Sequence, residues 1–181
     1  MAEPTSEDAY EGVLGAFPYA FSATDSRLCR VYIVVGGLFA ALATVVFVLA
    51  VISLIGETLG TPGGLLTSAR AFYVLIALLI VGPLLAPTLL VARRHRRGTG
   101  DRRYDRALGT TGFLFLGSLY LGAVASMPAS FVLDGETITR PAADGVFGPL
   151  VELLYAIPEP AAPVVPALAV AIMALVHRRY R

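Results

Sequence analysis

The chain has 181 residues, of which 56 % are hydrophobic and 15 % charged, with a formal net charge of +1. A soluble domain of that length could not cover so much apolar surface, and a mean hydropathy of +0.74 points to a membrane protein. All fourteen basic residues are arginine, and twelve lie at the ends of apolar runs.

The chain opens with Glu3, Glu7, Asp8 and Glu11 where a cleavable signal would carry positive charge, so the first apolar run is expected to remain as an anchor. Residues 1–27 form an expected cytoplasmic N-terminal segment. Within it, Tyr10 to Phe21 reads either as an interfacial helix broken or redirected at Pro18, or as a partly ordered tail with aromatics at headgroup level. Cys29 is the lone cysteine, which excludes an internal disulfide and fits a small apolar residue at a helix end.

A helix needs about 20 mostly apolar residues to cross a bilayer. Four runs meet or approach that length, at about 28–55, 71–92, 107–127 and 160–176. The expected fold is therefore an all-α four-helix transmembrane bundle over 28–176, with an outer loop at 128–159 and a basic cytoplasmic tail at 177–181. Arginine fixes its orientation, because short loops rich in Lys and Arg stay in the cytoplasm. Arg27 and Arg30 precede the first span. Arg93, Arg94, Arg96, Arg97, Arg102, Arg103 and Arg106 fill the loop between spans two and three, and Arg178, Arg179 and Arg181 end the chain. The other side keeps Arg70 and Arg140 against Glu57, Asp134, Glu136, Asp144, Glu152 and Glu159. Both termini read as cytoplasmic, which agrees with an even number of spans.

Helices in lipid associate through small residues that let backbones approach. Span one carries Gly36 and Gly37 four residues before Ala40 and Ala41, and span three carries Ser118, Gly122 and Ser126 at four-residue spacing, so these two spans are expected at close contacts. Span two carries Gly82, Pro83 and Pro87, which predict a static kink near its cytoplasmic end.

In the outer loop, Phe131-Val132-Leu133 and Thr137-Ile138-Thr139 flank Asp134-Gly135 and predict a short β-hairpin. The apolar run from Val146 to Ile157 is too short to span. Three placements stay open for it: interfacial, re-entrant, or the outer half of a proline-broken fourth span.

Intramembrane transport and catalysis use ionisable groups at depth, and the interiors of the four predicted spans hold none. Their polar residues are hydroxyls such as Thr44, Thr88, Thr110, Thr111, Ser118 and Ser126, which usually bond their own helix. His95 and His177 stand among arginines and lack the further ligands a metal needs. Nucleophile-elbow, Walker and dinucleotide fingerprints are absent. The expectation is thus no enzyme, no metal and no cofactor.

The arginine loop and tail should meet anionic lipid headgroups, at about 1 kcal/mol per basic residue. No nucleic acid is expected, while a homo-oligomer or a membrane-protein partner fits the small-residue faces. The stretch Gly15-Ala16-Phe17-Pro18-Tyr19-Ala20-Phe21, continuing through Asp25-Ser26-Arg27 into Val34-Val35-Gly36-Gly37-Leu38, resembles the start of small haloarchaeal multi-pass membrane proteins. That resemblance covers about the first forty residues and implies an archaeal plasma-membrane protein of unknown role; lysine-free, arginine-rich composition also suits GC-rich actinobacteria. Two functional classes remain: a non-enzymatic structural, accessory or regulatory membrane component, and a small oligomeric transporter or channel.

Overall fold

The computed structural model describes residues 12–57, 64–133 and 135–180. The acidic opening, Asp134 and Arg181 lie outside them. The described chain is mostly helical: α1 Gly12–Ala23, α2 Arg27–Glu57, α3 Gly64–Arg96, α4 Arg102–Ala125, α5 Gly148–Tyr155 and α6 Val164–Arg179. A two-stranded antiparallel sheet, β1 Ser130–Leu133 and β2 Glu136–Thr139, follows α4. Four segments are long and apolar enough to cross a bilayer: Arg27–Gly56, Ser68–Arg96, Arg102–Ala125 and Glu159–Arg179, the last including a 3-10 turn at Glu159–Ala161 before α6.

Each of these helices outruns its apolar stretch at the arginine end. Hydropathy ends the second run near Ala92 and opens the third near Ala107, whereas α3 continues to Arg96 and α4 starts at Arg102. The reason is local: Asp101 caps α4, its carboxylate accepting from the Arg103 amide at 3.0 Å, so the helix begins inside the charged segment. Ser26 does the same for α2, accepting from the Cys29 amide at 3.3 Å.

α4 is the central helix, packed by α2, α3 and α6, while α2 also lies along α3. Its inward stripe of Asp105, Leu108, Gly112, Phe115, Ser118 and Gly122 is buried, at the spacing of one helix face. On the α4 side, the close approach of α2 and α4 rests on glycines other than those the four-residue rows single out. A Cβ on Gly109 would sit 3.0 Å from the Cys29 Cα, and one on Gly112 would run into the ring of Tyr32. Gly36 leaves room for that ring on the α2 side, and the Tyr32 hydroxyl donates to the Leu84 carbonyl of α3 at 2.8 Å. Pro87 has no N–H for the Pro83 carbonyl, and Tyr32 brings its donor to the next carbonyl along α3, that of Leu84. One residue thereby holds three helices in register.

The remaining packing positions divide. Ala40 is buried, Gly37 faces the Phe17 ring of α1, and Ala41 is exposed. Gly122 is buried against Pro166 of α6, whereas Ser126 is exposed at the C-cap of α4, where the helix ends before the four-residue row can continue. Gly82 is exposed, and Pro83 and Pro87 lie within a continuous α3. α1 runs through Pro18 without a break. It packs on α3 and α2 through Ala16 and Ala20, both fully buried, while Pro18 and Leu14, whose carbonyl Pro18 leaves without an intrahelical donor, lie on the exposed side.

At the opposite end the hairpin pairs Ser130 with Thr139 and Leu133 with Glu136, turning at Gly135 with φ +85°. That backbone conformation favours glycine. α5 packs on the end of α4 through Leu154 and Ala125, and the Tyr155 ring lies 4.0 Å from the Arg140 guanidinium. Pro158 and the 3-10 turn separate it from α6. Two clefts open toward this half. One of about 350 Å³ lies between α2 and α3, and one of about 680 Å³, bounded by Phe72, Pro83, Phe115, Gly122 and Pro166, lies between α3 and α6 over α4.

If Tyr32 sets the α2–α4 distance, Gly112→Ala in the full-length protein should cost about 1–3 kcal/mol through overpacking. Gly117→Ala, where a Cβ meets open space, should be neutral or slightly stabilising. Denaturation in mixed detergent micelles reads both, and equal stability of the two variants would refute the role given to the tyrosine.

Candidate functional site

The basic ends of the helices are joined by a set of buried polar groups. Asp105, in the first turn of α4, is fully buried. Its Oδ2 accepts from the Thr24 hydroxyl at 2.6 Å and lies 2.8 Å from His95 Nε2, at the end of α3. Any state of His95 with hydrogen on Nε2 donates in that geometry, and the protonated form makes an ion pair. Oδ1 has no hydrogen-bond partner among the described residues.

Thr24 is equally buried and belongs to the turn between α1 and α2. While it donates to Asp105, its hydroxyl oxygen accepts from the Ser26 amide at 3.2 Å, and its carbonyl accepts from Arg30 Nε at 2.9 Å. The sequence Thr-Asp-Ser thus folds as a built corner that delivers one hydroxyl to the carboxylate and one cap to α2. A carboxylate removed from water costs several kcal/mol unless charge-assisted bonds satisfy it. Thr24, His95 and the positive N-terminus of α4 supply that compensation.

A second cluster lies alongside. The hydroxyl of fully buried Tyr104 is 2.8 Å from His177 Nδ1 on α6. Arg94 lies over the Tyr104 ring at 4.2 Å, donating through Nη1 to the Tyr180 carbonyl at 2.7 Å and through Nε to the Thr99 carbonyl at 2.8 Å. The last turn of α3 is thereby tied to the end of α6. Between them opens a cleft of about 240 Å³ lined by Arg93, Arg94, Arg97, Thr99, Tyr104 and His177, with Leu90 on its apolar side.

The arginines singled out by charge patterning therefore fall into two groups. Arg94 is half-buried and fixed by carbonyls, whereas Arg93, Arg96, Arg97, Arg102, Arg103, Arg106, Arg178 and Arg179 are exposed around the same end. The functional group that sequence reasoning passed over is Asp105. Hydropathy assigned it to the loop, yet it sits three residues before Leu108 and seven before Gly112, on the stripe that α4 turns inward. Thr24 was missed because a threonine before a helix reads as an ordinary turn residue.

The cluster lacks the order of a nucleophilic triad. Thr24 and His95 both bind the carboxylate and no bond joins them to each other, so His95 is not positioned to take the Thr24 proton. Among the described residues, no three His, Cys, Asp or Glu side chains could hold a metal ion. The hydroxyls of Thr44, Thr110, Thr111, Ser118 and Ser126 bond carbonyls of their own helices. The chemistry on offer is structural compensation at Asp105 and anion attraction at the arginine cleft.

Over residues 1–181 the chain matches the family described as Domain of unknown function (DUF8056). It belongs to that family. No curated protein and no solved structure matches the chain significantly.

The carboxylate clamp gives a direct expectation. Thr24→Val removes a donor from a buried charge and should destabilise the protein by about 1–3 kcal/mol. Combined with Asp105→Asn, the loss should fall well short of the sum of the single losses, because both act on one bond. Additive losses in denaturant midpoint would mean that the two residues act independently.

Proposed function

We propose that this DUF8056 member is a four-span membrane protein with both termini on the cytoplasmic side of the plasma membrane, serving as a non-enzymatic structural, accessory or regulatory component. The observation that carries the reading is the convergence at one end of α2, α3, α4 and α6 of nearly all the chain's arginines, held there by the Asp105 and Tyr104 clusters. Arginine retained on one side of short loops is the signature of the cytoplasmic face. The same rim suits a leaflet of anionic headgroups.

The accessory reading is supported by where the polar groups go. Those at the basic end join helices, and along the spans Thr44, Thr110, Thr111 and Ser118 bond their own backbones and Tyr32 a neighbouring helix, with the buried Thr88 hydroxyl alone among these lacking a partner among the described residues, whereas a carrier or pore would turn several of them toward a path. The large apolar surface left on α2, including Val34, Leu38, Leu42, Val45 and Leu49, suits lipid or another membrane helix.

Two measurements test the reading. In a Cys29→Ala background, single cysteines introduced as Thr137→Cys in the hairpin and Arg179→Cys at the end of α6 should differ in intact cells. Thr137→Cys should react with a membrane-impermeant thiol reagent, and Arg179→Cys only after permeabilisation; the reverse pattern would overturn the topology. Mass determination of the detergent-solubilised protein should give a monomer or a complex with another protein. A homo-oligomer that conducts ions or solutes in liposomes would overturn the accessory role.

A further inference from the structure

We propose that the cleft between the ends of α3 and α6 is a phosphate-binding site, taking the phosphate of a membrane lipid headgroup or of a soluble phosphate ester. The inference deepens the basic-face reading above: it replaces a diffuse positive rim with one built pocket.

Four features of the cleft favour a phosphate over a carboxylate or a general surface charge. First, Arg93 in the last turn of α3 and Arg97 in the turn that follows it both line the cleft. Among the described residues neither has an ion-pair partner. Second, Arg94 between them is held in place by the Tyr180 and Thr99 carbonyls and by the Tyr104 ring. A preorganised guanidinium loses little entropy when an anion arrives, and with Nε and Nη1 held by the carbonyls its Nη2 hydrogens remain to donate to a phosphate oxygen. Third, among the described residues no acidic side chain lines the cleft. The two acidic residues nearby in sequence are engaged elsewhere, Asp101 in capping α4 and Asp105 with Thr24 and His95. Fourth, Tyr104 and His177, bonded to each other at 2.8 Å, also line the cleft and make part of its wall polar.

The clamp and the cleft are also connected. Asp105 and Tyr104 are neighbours on α4, and His95 and Arg94 are neighbours on α3. The bond that satisfies the buried carboxylate therefore sets the spacing of the two walls that would grip the anion. At about 240 Å³ the space far exceeds the 10–15 Å³ that one water requires. Leu90, on the apolar side of the arginines in α3, gives the cleft an apolar edge beside its charged one.

The test uses the full-length protein in detergent, examined by native mass spectrometry with added dioleoyl phosphatidic acid or dioleoyl phosphatidylcholine. Wild type should retain phosphatidic acid preferentially. The pair Arg93→Gln, Arg97→Gln should weaken that retention by at least about tenfold, while Arg178→Gln, Arg179→Gln, which removes the same charge outside the cleft, should leave most of it. Equal weakening by the two pairs would overturn the site in favour of diffuse attraction, as would no weakening by the first. Inorganic phosphate and glycerol 3-phosphate, tested on delipidated protein by thermal shift, separate the sources: stabilisation equal to that by phosphatidic acid assigns the cleft to a soluble ester, and a lipid-only effect assigns it to a headgroup.

Should the glutamine pair fail to fold, wild-type protein decides. Phosphatidic acid vesicles should shield Arg93 and Arg97 from phenylglyoxal while Arg178 and Arg179 stay reactive, and uniform shielding would refute the pocket. None of these outcomes depends on which side of the membrane the basic end faces, so the cleft and the topology can fail separately.

Discussion

A carboxylate with no exposure to solvent governs how this molecule closes. Asp105 could not be buried without donors, and its donors come from two other parts of the chain, the α1–α2 corner and the end of α3. Buried ion pairs are poor sources of net stability but strong constraints on arrangement, because any other arrangement leaves a charge unpaired. Here the constraint fixes which helix ends meet. Tyr104, next along α4, extends it to α6 through His177, so every long helix contributes a terminus to one polar assembly.

Away from that assembly the physics changes. The middle of the bundle is held by close backbone approach at Gly109 and Gly112 and by the ring of Tyr32 lying between them and Gly36. Directional bonds are few there, and the Tyr32 hydroxyl is spent on the carbonyl next to that of Pro83. Farther along, the clefts between α2 and α3 and between α3 and α6 show the helices diverging. The bundle is bonded at one end, packed in the middle and loosely filled at the other.

Much of this was legible in the residues. Four long apolar helices and the hairpin around Gly135 follow from hydropathy, strand propensity and turn chemistry, each a local property, whereas hydropathy left three placements open for the run from Val146 to Ile157. What was hidden is what depends on contacts between distant segments. The small-residue rows pointed to α2 and α4, but the glycines that let them touch, Gly109 and Gly112, stand outside the four-residue pattern, because a bulky partner such as Tyr32 needs space at only one spot. Pro18 looked like a break and is not, since α1 leans on its neighbours through the alanines of its other face. The candidate site was hidden for the same reason: charge patterning sees seven arginines around position 100 and averages away the single aspartate that organises them.

The clamp also imposes an order on biosynthesis. Thr24 and Asp105 are 81 residues apart, and at about 5–20 residues per second some 4–16 s pass between the emergence of the first and of the second. During that interval α1 and the first two long helices must persist with the threonine unclaimed, and the corner can lock only once the third long helix has arrived. The amino-terminal half is therefore a waiting scaffold, and its final geometry is written late, by a residue made more than halfway along the chain.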